Sequence, residues 1–86
     1  PGAHAVEDAV NYGVRVTGST VHIVDSGVDT GPILAQKAVA VELDDTPESL
    51  HERIKTVERQ LLVDVLTQVA AHGITIDGRK AWITQS

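Results

Sequence analysis

The chain of 86 residues contains no cysteine, no methionine and no phenylalanine, and it carries one tryptophan and one tyrosine. The absence of cysteine excludes disulfide scaffolds, thiolate nucleophiles and zinc ribbons, a usage that fits an intracellular protein. Lacking methionine, the chain has no initiator residue and starts on "PG" in mid-phrase, so it reads as a fragment or a processed product of something larger. Basic residues are scarce, with 7 Lys and Arg against 12 Asp and Glu for a net charge of -5. That balance opposes binding along a phosphate backbone, so nucleic acid is not an expected partner. No apolar run approaches the ~18 residues of a membrane span and nothing resembles a signal peptide. Membrane association is therefore not expected, and a cytoplasmic location is.

What the chain does contain is aliphatic. Apolar residues make up 42% of it, which argues against disorder and, with so few aromatics, requires a core of Val, Ile, Leu and Ala. At this length one domain is the upper limit, near the size where a lone core gives marginal stability.

Val6, Ala9 and Val10 recur at helical spacing and close on Gly13, predicting a short helix over 3–12. "VRVTGSTVHIV" is rich in β-branched residues and predicts a strand, best defined from Ser19 to Val24. "ILAQKAVAV", from Ile33 to Val41, predicts a second strand. It is apolar on both faces, as an interior strand covered on each side would be. Only residues 25–32 join the two, fewer than the dozen a parallel crossover needs, so a direct pairing must be antiparallel. Thr46 as N-cap, Pro47 at the first helical position and Glu48 at the positive end of the dipole start a long helix. Leu50, Ile54, Val57, Leu61, Val65, Leu66 and Val69 carry it to Gly73, about 26 residues and ~39 Å. "ITID", "KAWIT", or both around a turn at Asp77-Gly78 supply final strand structure. The expected fold is α/β, with a long helix packed on the sheet and at least one antiparallel strand pair.

Chemistry concentrates in "HIVDSGVDTGPI", residues 22–33. Strand alternation puts Thr20, His22 and Val24 on one side and Val21 and Ile23 on the other. His22 thus stands near the strand's end, and Asp29 follows in a connection longer than a hairpin requires, between Gly27 and Gly31. A carboxylate held beside an imidazole favours the imidazolium and keeps an acid charged near neutrality. The plainer alternative is that Asp25 and Asp29 cap turns while His22 is a half-buried, hydrogen-bonded histidine. A metal held by His22, Asp25 and Asp29 lacks any supporting ligand spacing, and none is expected. His4, His51 and His72 are scattered on helices and read as surface residues.

"VTGSTVHIVDSGVDTGPILAQKAV", followed by "LHERIKTVERQLL", resembles the C-terminal half of the glycinamide ribonucleotide formyltransferases, members of the formyltransferase superfamily. The likeness runs without a gap from "GAHAVEDAV" to "AWI". It implies that residues 1–86 are the C-terminal portion of a single domain with a formyltransferase-type mixed sheet, the N-terminal nucleotide-binding half being absent. It further implies a transferase of purine biosynthesis and one-carbon metabolism, with 10-formyltetrahydrofolate as co-substrate and the amine of glycinamide ribonucleotide as acceptor.

Matched position by position, Asp25, Ser26, Gly27, Val28 and Asp29 fall on the loop that grips the folate. Asp29 falls on the aspartate that raises the pKa of the catalytic histidine, and His22 on a histidine packed near it. Lys55, Thr56, Val57 and Glu58 match the segment contacting the ribonucleotide, Glu58 foremost. Helix spacing alone offers another account of Lys55 and Glu58, an exposed i,i+3 ion pair worth a few tenths of a kcal/mol. The family's catalytic asparagine and histidine and its glycine-rich phosphate segment lie upstream of "PGAH", so the chain alone is expected to be inactive. Formyltetrahydrofolate deformylase is the nearest rival. Methionyl-tRNA formyltransferase usually lacks the histidine matched by His22. A non-catalytic fragment binding folate or a partner through a sheet edge is the third reading, and a homo-oligomer is left open.

Overall fold

The computed structural model describes residues 4–24 and 31–85, ordered as two helices and four strands. Helix α1 spans His4–Tyr12, and Val6, Ala9 and Val10 turn towards the core. Strand β1, Val16–His22, begins ahead of the expected Ser19 and stops short of Val24. Its ladder with β2, Ile33–Ala40, accounts for both limits. Pairing starts at Val16 opposite Ala40 and runs antiparallel to a register shift between Val21 and His22, where Ile33 faces His22 and Leu34 is passed over. The short link did dictate the antiparallel sense.

Helix α2, Pro47–His72, has the predicted 26 residues. Its start is locally determined: Thr46 Oγ1 accepts from the Ser49 amide at 3.1 Å, and Ser49 Oγ accepts from the Thr46 amide at 3.0 Å. This is a capping box with serine in the third position, satisfying two backbone donors that a helix start leaves open. The end falls at Gly73, whose φ of 76° a β-carbon would disfavour. Strands β3, Ile74–Asp77, and β4, Lys80–Ile83, pair antiparallel around Gly78 and Arg79, one residue beyond the expected turn. Both candidate segments, "ITID" and "KAWIT", thus contribute strands.

The sheet order is β1-β2-β4-β3, with β2 and β4 parallel through Ile33 and Lys80. Mixed pairing and a long packed helix make this the α/β architecture expected from the sequence. The strand β2 is interior to the sheet, but the expectation that both its faces are covered is corrected. Val39 and Val41 pack with Leu50 of α2, while Gln36, Ala38 and Ala40 on the other face are exposed among the described residues. Gly18 and Thr20 of β1 continue that exposed face, which includes a hydrogen bond from Gln36 Nε2 to Thr20 Oγ1 at 3.0 Å.

The helix stripe is also narrower than its periodicity suggested. Leu50 and Val65 are buried, whereas Leu66 is 58% exposed. Leu50 is wholly shielded, and burial of that kind contributes about 1.5–3 kcal/mol per large aliphatic side chain. Ser19 lies on the helix side of β1, and its hydroxyl is buried without a hydrogen-bond partner among the described residues.

One polar node fixes α2 to the sheet. Arg53 forks onto Asp45, with Nη1 to Oδ2 at 2.6 Å and Nη2 to Oδ1 at 2.9 Å, and Nη1 also donates to the Ala40 carbonyl at 3.0 Å. Ser49 Oγ and the Glu42 amide donate to the same carboxylate at 2.6 and 2.8 Å. Asp45 is held well below the usual carboxylate range, first by the Arg53 hydrogen bonds, then by Ser49 and the Glu42 amide.

Candidate functional site

The residues following β1 are drawn together by backbone geometry before any side chain contributes. The Ile23 amide donates to the Pro32 carbonyl at 2.9 Å, carrying the pairing of the two backbones one step past His22 and Ile33. Gly31 and Pro32 are buried there. A β-carbon on Gly31 would lie 1.5 Å from the Ile23 carbonyl oxygen, so the two backbones are in contact and no side chain fits. Glycine at this position is required by that contact, a cause the sequence alone does not distinguish from turn geometry.

Two side chains converge on the Gly31 carbonyl. His22 Nδ1 lies 3.3 Å from the oxygen and Arg79 Nη2 lies 3.4 Å from it. A carbonyl oxygen has two lone pairs and accepts both. Because that oxygen can only accept, the contact is a hydrogen bond in the tautomer that carries its proton on Nδ1. The histidine stays solvent-accessible at the end of β1. Arg79 comes from the opposite direction. The parallel pairing of Ile33 with Lys80 sets the β3–β4 turn beside the root of β2, and Arg79 is the last residue of that turn.

Of the predicted site residues, His22 is therefore placed beside the Gly31 carbonyl. Asp25, Ser26, Gly27, Val28 and Asp29 lie outside the described residues. Lys55, Thr56, Val57 and Glu58 occupy one turn of α2 and point in different directions. Val57 packs on the Val39, Val41 and Leu50 cluster. Thr56 Oγ1 donates back to the Glu52 carbonyl at 3.0 Å. Lys55 pairs with Glu52 at 3.5 Å, which corrects the alternative of a Lys55–Glu58 pair. Both acids are three residues from Lys55, and the structure uses the N-terminal one, the favoured order along a helix dipole. Glu58 is exposed and has no hydrogen-bond or ion-pair partner among the described residues.

His4, His51 and His72 are exposed on the helices, as expected. No group of three metal-ligating side chains occurs among the described residues, and no described helix is long and apolar enough to cross a membrane. Arg79 is the site residue that sequence reasoning missed. The Asp77-Gly78 turn signal put it near a hairpin tip, but nothing local indicated which strand that tip would meet.

Similarity to known proteins is extensive. A phosphoribosylglycinamide formyltransferase of Mycobacterium tuberculosis is 59% identical over 81 residues, covering 94% of this chain and 38% of its own length. The crystal structure of glycinamide ribonucleotide transformylase 1 from Symbiobacterium toebii superposes with a TM-score of 0.83 at 40% identity, over 99% of this chain and 40% of that one. A formyltetrahydrofolate deformylase from Pseudomonas syringae superposes with a TM-score of 0.85 at 27% identity, over 98% of this chain and 28% of that one. The chain thus spans about two fifths of the length of the bacterial phosphoribosylglycinamide formyltransferases it matches. The model of the family described as formyl transferase matches residues 1–66, which with these likenesses establishes that the chain belongs to the formyl transferase family.

Proposed function

We propose that this chain is the C-terminal portion of a phosphoribosylglycinamide formyltransferase, passing a formyl group from 10-formyltetrahydrofolate to the amine of glycinamide ribonucleotide. The observation that carries the reading is the 59% identity to the mycobacterial transferase across nearly the whole chain, against 27% for the deformylase neighbour. A His22 in contact with the Gly31 carbonyl and an exposed Glu58 on α2 are consistent with it.

In this reading the substrate amine attacks the formyl carbon and forms a tetrahedral oxyanion, which preorganised donors and an imidazolium stabilise. Collapse breaks the bond from that carbon to the folate nitrogen. The folate nitrogen takes up a proton, and the new amide nitrogen loses one. The imidazolium and an asparagine donor belong to a part of the protein outside these 86 residues. Asp29 keeps that imidazole charged, residues 25–29 hold the folate, and His22 sets the loop from behind. Glu58, with Lys55 and Thr56 beside it, receives the ribonucleotide, and Val57 anchors that turn to the core. A cytoplasmic location and small-molecule partners belong to the same reading.

Asp29→Asn in the full-length protein is expected to lower formylation about a hundredfold or more, the usual scale for a group that governs proton transfer. Turnover close to wild type would remove Asp29 from the mechanism. With glycinamide ribonucleotide supplied, the transferase yields formylated product. Release of free formate without acceptor formylation would favour deformylase chemistry instead.

A further inference from the structure

We propose that Arg53 is a positioning residue for the ribonucleotide segment of α2, fixing the rotation of the helix about its axis and so the place at which Glu58 is presented. This rests on the reading of Glu58 as the residue that receives the ribonucleotide, and it deepens that reading by naming what holds the side chain in place.

Two kinds of contact tie α2 to the rest of the described chain, and they restrain different motions. Leu50, Ile54 and Val57 pack with Val39 and Val41. Apolar packing is non-directional, so it sets the distance between helix and sheet more firmly than the rotation of the helix. Direction comes from hydrogen bonds. Among the described residues, only Ser49 and Arg53 send side-chain bonds out of α2, whereas Thr56, Gln60, Thr67 and the Lys55–Glu52 pair bond within it. Ser49 sits in the first turn and reaches back only to Asp45 and Thr46, the residues leading into the helix. Arg53 reaches the sheet itself, through the carbonyl of Ala40, the last residue of β2, which is paired with Val16 of β1. Its fork adds bonds to Asp45 at 2.6 and 2.9 Å, and Asp45 is held in turn by the Glu42 amide at 2.8 Å. A planar guanidinium bound through both terminal nitrogens fixes direction as well as distance.

Glu58 lies five residues beyond Arg53, about 7.5 Å along the helix axis. It is exposed and has no hydrogen-bond or ion-pair partner among the described residues, so its place follows that of the helix backbone. A side-chain tip about 6 Å from the axis moves about 1 Å when the helix turns by about 10°. A misplacement of that size can cost as much as a hundredfold in rate. The effect reaches Glu58 through the helix, without any contact between Arg53 and the ribonucleotide.

The test uses Arg53→Lys, Val65→Ala and Glu58→Gln in the full-length protein, with kcat, KM for each substrate and Tm measured for all three. Arg53→Lys keeps the charge and loses the fork. Val65→Ala weakens the buried face of the same helix seven residues beyond Glu58 and serves as the control for stability. In Arg53→Lys, KM for glycinamide ribonucleotide should rise about fivefold while KM for 10-formyltetrahydrofolate stays within about twofold. Val65→Ala should lower Tm at least as much and leave both KM values within about twofold. Equal rises of both KM values in Arg53→Lys and Val65→Ala, in step with Tm, would identify a general structural role and overturn the proposal. So would a wild-type ribonucleotide KM in Arg53→Lys while Glu58→Gln raises it, an outcome that leaves the formyltransferase reading standing. A wild-type ribonucleotide KM in Glu58→Gln would remove Glu58 from the site and this proposal with it. Failure of the unmodified protein to formylate glycinamide ribonucleotide would remove the formyltransferase reading itself, and the proposal with it.

Discussion

The two ends of β2 are each gripped by an arginine, and the grips differ in kind. At the C-terminal end, Arg53 meets an ionised carboxylate through two short bonds and adds a third to the Ala40 carbonyl, with the Asp45 side chain only 3% exposed. At the N-terminal end, Arg79 meets a neutral carbonyl at 3.4 Å and shares it with a histidine. Both arginines donate as cations, but the Arg53 bonds are shorter, bidentate and made to an ionised acceptor, so they are the stronger and fix geometry in two directions. The contrast assigns different duties to the two ends. The Asp45 end holds helix to sheet, and the His22 and Arg79 contacts on the Gly31 carbonyl hold the start of β2 through longer bonds.

Removing the strong grip should have the largest effect. Asp45→Ala removes the acceptor shared by Arg53, Ser49 and the Glu42 amide, leaving Arg53 its bond to the Ala40 carbonyl and Ser49 its longer contact with the Thr46 carbonyl. It should lower Tm more than either change below, as read by thermal denaturation. The same node sets an acid limit. A folded-state pKa held below the unfolded value of ~3.9 contributes stability that is present above that pH and is lost as pH falls through and below it. A Tm profile from pH 7 to pH 2 should therefore drop steeply below about pH 4 in the wild type and more gently in Asp45→Ala. Parallel profiles would mean that other carboxylates dominate the acid transition.

At the weaker grip, Gly31→Ala forces a methyl group against the Ile23 carbonyl. Overpacking of this kind typically costs about 1–3 kcal/mol. If this end serves orientation, turnover in the full-length protein should fall further than chemical denaturation would account for. Loss of activity in proportion to stability would erase the distinction between the two ends.

Midway along the ladder the smallest change is expected, and in the opposite direction. Ser19→Ala removes a buried hydroxyl that has no partner among the described residues, and it should raise stability by about 1 kcal/mol while leaving kinetics unchanged. A loss of stability would mean the hydroxyl has a bonding partner after all.

Much of this arrangement was legible where its causes are local. Thr46, Pro47 and the spacing of apolar residues fixed α2 within a residue, since caps and helical period act over a few positions. The eight-residue link between β1 and β2 left their direction no choice. Resemblance pointed to His22 and to residues 25–29 and 55–58, and the structure adds where His22, Lys55, Thr56, Val57 and Glu58 lie. What was not legible depends on distant partners. Arg79 meets Gly31 across 48 positions, through a parallel pairing that no local pattern encodes. Arg53 and Asp45 sit eight apart across a helix start, a spacing that matches no standard helical pair. The exposed face of β2 was misjudged because a run of alanine and valine looks the same whether one side or both sides are covered.

The passed-over Leu34 acts as a phase adjuster for everything beyond it. Strands count in twos, so one surplus residue switches which side of the sheet the following backbone addresses. Shortening β2 by a single position would rotate the Gly31 carbonyl away from both His22 and Arg79, whereas shortening it by two would restore its heading. The count of residues between Ala40 and Ile33 thereby sets which side of the sheet the start of β2 addresses, a parity adjusted by one leucine.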